Sequence, residues 1–410
     1  MQPFATTKQK HLSPRWTLAA FFFTLVSVVL MVHQVMPRSF KSLEALRFSR
    51  HLTHSAQHEF HDAQSADGHV HAIPNIIHFV HFMLDTEETF DLRFREFLAI
   101  YSAHYYMQPE IIYIHTNVEA EEMDELLDSS TSPWTSAVRS LPTVKFNYHK
   151  LPKKTSKGVL IDHIAHKTDF TRIDVLEKYG GIYLDDDSYI LRPLHQFLKT
   201  GFENVFGAQL GGEICPSAIL STKGNKFNKI FLKLMDLEFD GSWTKHSVHL
   251  MTTMTPDFHH QPHQILRLPQ ETFFPYSWED DDLKTIYLVH DRHESNNSII
   301  LNHPTTNTTD FIEHFQNYPG SDTWQVDWRL SYILHGWNHI AQDKKDQLFG
   351  KYGEISLEYV LEQSSNFARA VGPAVWHALD SGVLDHVGIE GGKKNVTAGR
   401  VGGHKTEQRS

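Results

Sequence analysis

The segment KYGGIYLDDDSYILRPL, from Lys178 to Leu194, places three adjacent aspartates after two glycines and a short apolar run. Apolar residues also follow the aspartates, which makes a fully solvated acidic turn less natural. On an extended chain, Asp185 and Asp187 would point to one side and Asp186 to the other. Two carboxylates on one side repel each other unless they share a cation, so the segment favours a metal site.

Other interpretations of the three aspartates stay open at this stage, and a solvated acidic turn is the simplest of them. A calcium loop counted from Asp185 has Ile190 at position 6, where glycine is needed, and Gln196 at position 12, where glutamate is needed. An Asp-x-Asp phosphatase would use the first carboxylate as its nucleophile, but that motif belongs on a first strand and much of the body comes earlier here. Carboxylate oxygens suit Mg²⁺ or Mn²⁺, and either ion can hold a diphosphate.

Strand and helix patterns alternate around this segment. Apolar runs predict strands at 72–82, 110–117, 144–151 and 181–186. Helical spacing predicts helices at 87–106, at 119–130 and from about Asp162 to Tyr179, and Gly180 is the expected left-handed cap. The alternation predicts an α/β domain with a mostly parallel sheet flanked by helices. Ligands bind such sheets at the carboxyl ends of the strands, where the aspartates lie.

The second half of the body is less regular. We expect strands at 204–210 and 215–221, a helix at 225–239, and a largely helical stretch at 356–382 that Pro373 breaks or kinks. The acidic run SWEDDDL, at 277–283, lacks the glycines and the strand that precede the other aspartates. We interpret it as an exposed loop.

The N-terminal segment Trp16–Met36 contains no Asp, Glu, Lys or Arg. As a helix it would be about 31 Å long, which matches the hydrocarbon core of a bilayer. A cleaved signal peptide is the alternative, but the run is long for one and no small-residue cleavage site follows it. We therefore predict a transmembrane anchor. Glycosylation sequons at Asn296, Asn307 and Asn395 favour a single-pass type II protein whose body faces the lumen of the Golgi or endoplasmic reticulum.

These patterns divide the chain into successive parts. They are a cytosolic tail at 1–15, the transmembrane anchor at 16–36, a stem at 37–72, a catalytic domain at 73–385 and a disordered tail at 386–410.

The composition limits the partners and the chemistry. The formal net charge is −11 and the body has no long basic block, which argues against nucleic acid. Cys215 is the single cysteine, so an intrachain disulfide is excluded. The chain has 30 histidines, and with an ordinary pKa of about 6.5 many of them are expected to become charged in a mildly acidic compartment.

The longer segment TDFTRIDVLEKYGGIYLDDDSYILRPL, Thr168–Leu194, resembles the sugar-binding region of family 32 glycosyltransferases, which contains their Asp-x-Asp motif. The start of the body, IPNIIHFVHF at 73–82, also resembles the start of that family. Family members include fungal mannosyltransferases and animal α-1,4-galactosyl- and N-acetylglucosaminyltransferases. The resemblance implies a GT-A-like nucleotide-sugar-binding fold. It also implies metal-dependent retaining transfer of a hexose, from GDP-mannose or UDP-galactose, to a glycan or glycolipid.

The resemblance also implies roles for individual residues. Asp187 would coordinate Mn²⁺ (or Mg²⁺), and Asp185 would contact the metal or its water and the donor's ribose. Asp169 and Arg172, three apart on one helix, would hold the donor sugar and its phosphate side, because the guanidinium fork suits phosphate. An ordinary surface ion pair is the alternative for these two.

Four further residues follow from the same resemblance. Tyr183, Gly181 and His78 would belong to the donor site, although Gly181 has a structural use of its own, because it permits a close backbone approach. His335, in the later segment YILHGWNHI, is the candidate third metal ligand or phosphate contact, with a packed histidine beside Trp337 as the alternative. A membrane-anchored, sugar-binding protein without catalysis is the alternative function.

Overall fold

A seven-stranded β-sheet lies at the centre of the domain. The computed structural model describes residues 72–84, 89–259, 261–290 and 324–385. Within these ranges the strands are β1 (Ile76–Val80), β2 (Ile111–Thr116), β3 (Val144–Tyr148), β4 (Gly181–Leu184), β5 (Ser188–Ile190), β6 (Asn204–Ala208), β7 (Ile214–Ser221), β8 (Ile265–Leu268) and β9 (Ile333–His335). The large sheet has the order β3-β2-β1-β4-β7-β6-β8, and β5 pairs with β9 in a separate small sheet.

Most neighbouring strands of the large sheet are parallel, as the alternation of strands and helices predicts. β1 pairs in parallel with β2 and β4, β2 with β3, and β6 with β8. β7 differs because it runs antiparallel to both β4 and β6. Only residues 209–213 connect β6 to β7, and so short a connection allows an antiparallel pair but no parallel crossover.

Helices cover both faces of this sheet. They are α1 (Phe94–Met107), α2 (Ala120–Ser129), α3 (Pro133–Arg139), α4 (Ile164–Tyr179), α5 (His195–Leu198), α6 (Lys226–Glu238), α7 (Leu250–His259), α8 (Gln270–Phe273), α9 (Asp280–Tyr287), α10 (Asn338–Asp343), α11 (Lys345–Leu348), α12 (Leu357–Leu361) and α13 (Asn366–Asp380). In β4, Ile182 and Leu184 join the apolar core that contains α1 and α13, whereas Tyr183 joins the core that contains α4 and α6. A strand buried on both faces is a continuous apolar run, which explains the sequence before the aspartates.

The two glycines before β4 are required for different reasons. Gly180 ends α4 with φ 68° and ψ −175°, a conformation that is essentially restricted to glycine. The left-handed helical cap predicted for Gly180 is therefore wrong in ψ, although φ is positive. At Gly181 an added Cβ would lie 2.3 Å from the carbonyl oxygen of Ile76, so the predicted close backbone approach is confirmed. This approach lets β4 pair with β1, and the aspartates follow at the carboxyl end of β4.

The acidic run at 277–283 is not the exposed loop that the sequence predicts. Its aspartates form the first turn of α9, where negative charge is favourable at the positive end of the helix. Asp282 Oδ2 accepts hydrogen bonds from the backbone N–H and the hydroxyl of Ser277, at 2.8 and 2.7 Å. On the other side of the same helix, Leu283 and Ile286 are buried.

The predicted helical stretch at 356–382 is divided into α12 and α13. The Ser365 hydroxyl accepts a hydrogen bond from the Ala368 N–H at 3.1 Å and starts the second of these helices. Of the break or kink predicted at Pro373, the break does not occur, because α13 continues through that residue.

Several predictions fall on residues outside the described ranges. They concern the cytosolic tail, the transmembrane segment 16–36, nearly all of the stem, the three glycosylation sequons and the whole tail at 386–410. Within the described ranges, no helix combines the length and the apolar character needed to cross a bilayer.

Candidate functional site

The three aspartates form a tight turn between β4 and β5. The Asp185 N–H donates to the Ser217 carbonyl at 2.8 Å, and the Ser188 N–H donates to the Asp185 carbonyl at 2.9 Å. The predicted extended chain through the aspartates is therefore wrong, and β4 ends at Leu184. Asp186 is exposed, whereas Asp187 is buried. The turn lies at the carboxyl end of β4, where a ligand site is expected.

His335 reaches this turn from a distant part of the chain. β9 runs antiparallel to β5 and places His335 opposite Ser188, and its Nε2 lies 3.1 Å from Asp187 Oδ1. The Gly336 N–H donates to the Asp187 carbonyl at 2.8 Å. The Asn338 N–H, at the start of α10, donates to Asp187 Oδ2 at 2.9 Å. The small sheet and the segment after it therefore hold both the backbone and the side chain of Asp187.

Asp185, Asp187 and His335 together form a group that can hold a metal ion. One ligand atom from each residue lies within 4.8 Å of the others. His335 Nδ1 is buried and has no hydrogen-bond partner among the described residues, so Nε2 makes the ring's polar contact, with Asp187. Two carboxylates and one imidazole are donors that fit a divalent cation such as Mn²⁺. The structure thus brings together the three predicted ligands, and their metal binding stays a prediction.

Arg172 connects this turn to α4. Its Nη2 lies 3.1 Å from Asp185 Oδ1 and 3.1 Å from Asp169 Oδ1, and its side chain is 7% exposed. The guanidinium carbon lies 4.9 Å from the ring centroid of Tyr183, whose hydroxyl donates to Asp185 Oδ1 at 2.6 Å. Asp169 and Arg172 are therefore not a weak surface ion pair. Arg172 bridges two carboxylates, while its contact with a donor phosphate stays a prediction, as does a donor contact of Tyr183.

The close charges change the protonation of the cluster. Burial raises the pKa of Asp185, and Arg172 opposes this effect. Burial also acts against ionisation of Asp187, but His335, the Asn338 N–H and His339 together outweigh it and lower the pKa of Asp187 to about 2. Burial lowers the pKa of His335, but the Asp187 carboxylate outweighs burial and raises it overall. Three carboxylates against one guanidinium leave the cluster two negative charges in excess, before the charge of His335 is counted.

Asp169 has a second partner that the sequence analysis missed. His246 Nε2 lies 3.0 Å from Asp169 Oδ2, and the His246 side chain is fully buried. It belongs to the π-helical turn Lys245–His249, which directly precedes α7. No motif or apolar periodicity marks this residue, because only the packing of the turn against α4 brings it to Asp169.

His78 is not at the candidate donor site. It is 0% exposed, its Nε2 lies 2.8 Å from the Gly180 carbonyl and its Nδ1 lies 2.9 Å from His115 Nε2. Both ring nitrogens are therefore engaged inside the sheet, and the predicted donor contact of His78 is wrong for this structure. Gly181 packs next to this ring, and its close approach to β1 gives it a structural role.

His78 and His115 form an ordered chain of hydrogen bonds. A carbonyl oxygen only accepts, so His78 Nε2 donates to Gly180 and His78 Nδ1 accepts from His115 Nε2. His115 Nδ1 then accepts from Asn147 Nδ2 at 3.0 Å. Burial lowers the pKa of His78 to about 4 and that of His115 to about 2. The general expectation that mild acid charges the histidines therefore does not hold for this pair.

Acidification is expected to destabilise the fold through His78. Its pKa is about 4 in the folded chain against an ordinary 6.5, so the unfolded chain binds more protons between these pH values. Stability is lost as the pH falls from 6.5 towards 4, by about 2 to 3 kcal/mol for this residue. Urea unfolding at pH 7 and pH 4.5 measures the loss. His78→Gln keeps a donor and an acceptor but cannot titrate, so its stability should change less with pH; equal changes in both proteins would contradict the prediction.

The sugar-binding segment matches a known protein family. Residues 94–206 match the family described as the glycosyltransferase sugar-binding region containing the DXD motif. The matched range extends from α1 to β6 and includes Asp169, Arg172 and the aspartate turn. The resemblance to glycosyltransferases that the sequence indicates is therefore confirmed.

The individual proteins that are similar to this chain share little sequence identity with it. The chain is 22% identical over 316 residues to Glucan organizing enzyme 1 of Cryptococcus neoformans var. grubii serotype A (strain H99), and the alignment covers 74% of this chain and 71% of that protein. Among solved structures, the glycosyltransferase GlyE of Streptococcus pneumoniae TIGR4 is 13% identical, with 76% of this chain and 64% of that chain covered and a TM-score of 0.37. The PaToxG glycosyltransferase is 16% identical, with 47% and 71% covered and a TM-score of 0.32.

Proposed function

We propose that this chain, whose sugar-binding region identifies it as a glycosyltransferase, is a metal-dependent retaining enzyme with a GT-A-like fold. It transfers a hexose, mannose or galactose, from GDP-mannose or UDP-galactose to a glycan or glycolipid acceptor. Segment 16–36 anchors it as a single-pass type II protein in the Golgi or endoplasmic reticulum membrane, with the body in the lumen.

The observation that carries the proposal is the charge of the cluster at the carboxyl end of β4. Arg172 contacts Asp169 and Asp185, and Asp187 contacts His335, so three carboxylates stand against one guanidinium and exceed it by two negative charges before the charge of His335 is counted. A divalent cation held by Asp185, Asp187 and His335 would neutralise this excess and the charge that develops on a leaving diphosphate. The imidazole favours Mn²⁺ over Mg²⁺, which prefers oxygen ligands.

The chain's own residues would position the donor. The Asp169 side chain is 11% exposed, which leaves its oxygens able to accept hydrogen bonds from sugar hydroxyls. Arg172 holds Asp169 and Asp185 on either side of its Nη2, and Tyr183 supports Asp185 through its hydroxyl. The acceptor hydroxyl would attack the anomeric carbon from the face that the diphosphate leaves. The configuration of the sugar is then retained.

The acceptor is the least defined partner. The name of the fungal relative refers to glucan organization, which favours a polysaccharide over a glycolipid as the acceptor. A test should therefore include glucan and mannan oligosaccharides besides a glycolipid.

The full-length protein in detergent, with Mn²⁺ and these acceptors, is to be given a panel of UDP- and GDP-sugars while released nucleoside diphosphate is measured. We expect release from one donor, loss of release on chelation and recovery when Mn²⁺ is added back. Donor binding without release for any acceptor would favour the non-catalytic sugar-binding protein. A folded protein that binds no nucleotide-sugar would contradict the proposal.

A further inference from the structure

We propose that His246 is a positioning residue that orients Asp169 for reading the hydroxyl groups of the donor sugar. The inference rests on the proposed function, because it gives Asp169 the donor sugar as its ligand. His246 belongs neither to the aspartate turn nor to the predicted metal ligands.

The Asp169 carboxylate is held from two different elements. Arg172 Nη2 lies 3.1 Å from Oδ1, and His246 Nε2 lies 3.0 Å from Oδ2. Arg172 shares α4 with Asp169, so it moves with that helix, whereas His246 comes from the separate π-helical turn. One donor on each oxygen fixes the plane of the carboxylate. Each oxygen keeps a further lone pair for a ligand hydroxyl.

The imidazole is itself fixed by its neighbours. His246 is 0% exposed, and its ring is stacked on Phe170 at 5.8 Å with an interplanar angle of 13°. The rings of Phe239 and His166 meet it edge-on, each with a centroid distance of 4.8 Å. His246 lies in a π-helical turn. Such turns are rare in proteins, and those that occur are often found at functional sites. This turn presents the ring to α4 in a single orientation.

The hydrogen bonds favour one tautomer of His246. A carboxylate oxygen accepts, so Nε2 carries the proton and donates it to Asp169. Nδ1 is buried and has no hydrogen-bond partner among the described residues. The Asp169 contact therefore fixes Nε2 as the nitrogen that carries a proton. His246 supplies a hydrogen bond of defined direction to Asp169 Oδ2.

Orientation of the carboxylate matters because hexose epimers differ in the direction of one hydroxyl group. A site that hydrogen-bonds a particular hydroxyl rejects an analogue that cannot complete the same bond. A carboxylate free to rotate would accept from either epimer. His246 is therefore expected to affect donor affinity and epimer discrimination more than the rate of bond cleavage.

The test compares His246→Phe, which keeps an aromatic ring but cannot donate, with His246→Gln, whose amide can donate. Donor KM, kcat and the ratio of kcat/KM for two epimeric donors are measured in the full-length protein. For His246→Phe we expect donor KM to rise about tenfold, kcat to change less, and discrimination to fall by a similar factor. His246→Gln should stay within about threefold of the wild type. His166→Phe, in the same ring cluster without a hydrogen bond to Asp169, is the matched control.

A double-mutant cycle tests the coupling directly. In an Asp169→Ala background, His246→Phe is expected to change donor KM by less than about twofold, because the bond it removes is already absent. If His246→Phe and His246→Gln lower activity equally and leave epimer discrimination unchanged, His246 only fills the core and the inference is overturned. A wild-type protein that uses and binds no donor would instead reject the proposed function, and this inference with it.

Discussion

Asp187→Asn is expected to reduce nucleotide-sugar turnover by about 10³-fold or more. The side chain keeps its shape and an oxygen that accepts from the Asn338 N–H, which lies 2.9 Å from Oδ2 in the wild type. The change removes one negative charge from the group formed with Asp185 and His335. A cation would then be held by one carboxylate instead of two and would compensate the charge on the leaving diphosphate poorly. Nucleoside diphosphate release at saturating donor and Mn²⁺ measures the effect.

Asp186→Asn is the matched control for this prediction. Asp186 directly precedes Asp187 in the same turn, but its side chain is exposed and it is not part of the candidate metal group. Activity within about threefold of the wild type is expected, because exposed side chains that are not themselves ligands have small effects when changed. Thermal unfolding with and without Mn²⁺ separates metal binding from folding. An Asp187→Asn protein that is folded, active and still stabilised by Mn²⁺ would contradict the assignment of Asp187 as a ligand.

Arg172→Met is expected to lower the free energy of unfolding by about 3 to 5 kcal/mol. The guanidinium is 7% exposed and its Nη2 lies 3.1 Å from Asp169 and 3.1 Å from Asp185. Methionine fills much of the same space but leaves two carboxylates close together without their counter-charge. In the wild type, the neighbouring carboxylates raise the pKa of Arg172 despite its burial. The guanidinium therefore stays charged and supports both carboxylates at any pH near neutral.

Urea unfolding of the full-length protein measures this loss, and Lys178→Met is the matched control. Lys178 lies on the same helix and is exposed, with its ammonium 4.9 Å from the ring centroid of Tyr179, so its removal should cost less than about 1 kcal/mol. Arg172→Lys should fall between the two, because it keeps the charge without the fork that bridges two carboxylates. Mn²⁺ should recover part of the stability of Arg172→Met by compensating Asp185. Equal stability of Arg172→Met and Lys178→Met would show that the bridge does not stabilise the fold.

Several features of the site follow from local sequence. Gly180 and Gly181 mark a change of direction between α4 and β4, since a side chain at either position would collide with neighbouring backbone. The apolar run after them marks a strand buried on both faces. The aspartates therefore lie at the carboxyl end of β4. The spacing of Asp169 and Arg172 puts both on one face of α4.

Other expectations failed because hydrogen bonds that the sequence patterns do not show decided the outcome. The aspartates form a turn instead of extended strand, since the Asp185 carbonyl accepts from Ser188 within the turn. His78 looked like a site residue because it stands in the first strand of the resemblance. It is instead bound on both ring nitrogens by the Gly180 carbonyl and His115.

The sequence by itself determined the alternation of strands and helices, the position of the aspartates after β4 and the sugar-binding resemblance. All of these depend on residues that are close together in the sequence, where their periodicity and backbone preferences can be seen. Only the tertiary structure decided that β9 pairs with β5 and brings His335 to Asp187, and that a π-helical turn brings His246 to Asp169. Spacing along the chain carries no information about these contacts, because they are set by the packing of surfaces that are distant in sequence.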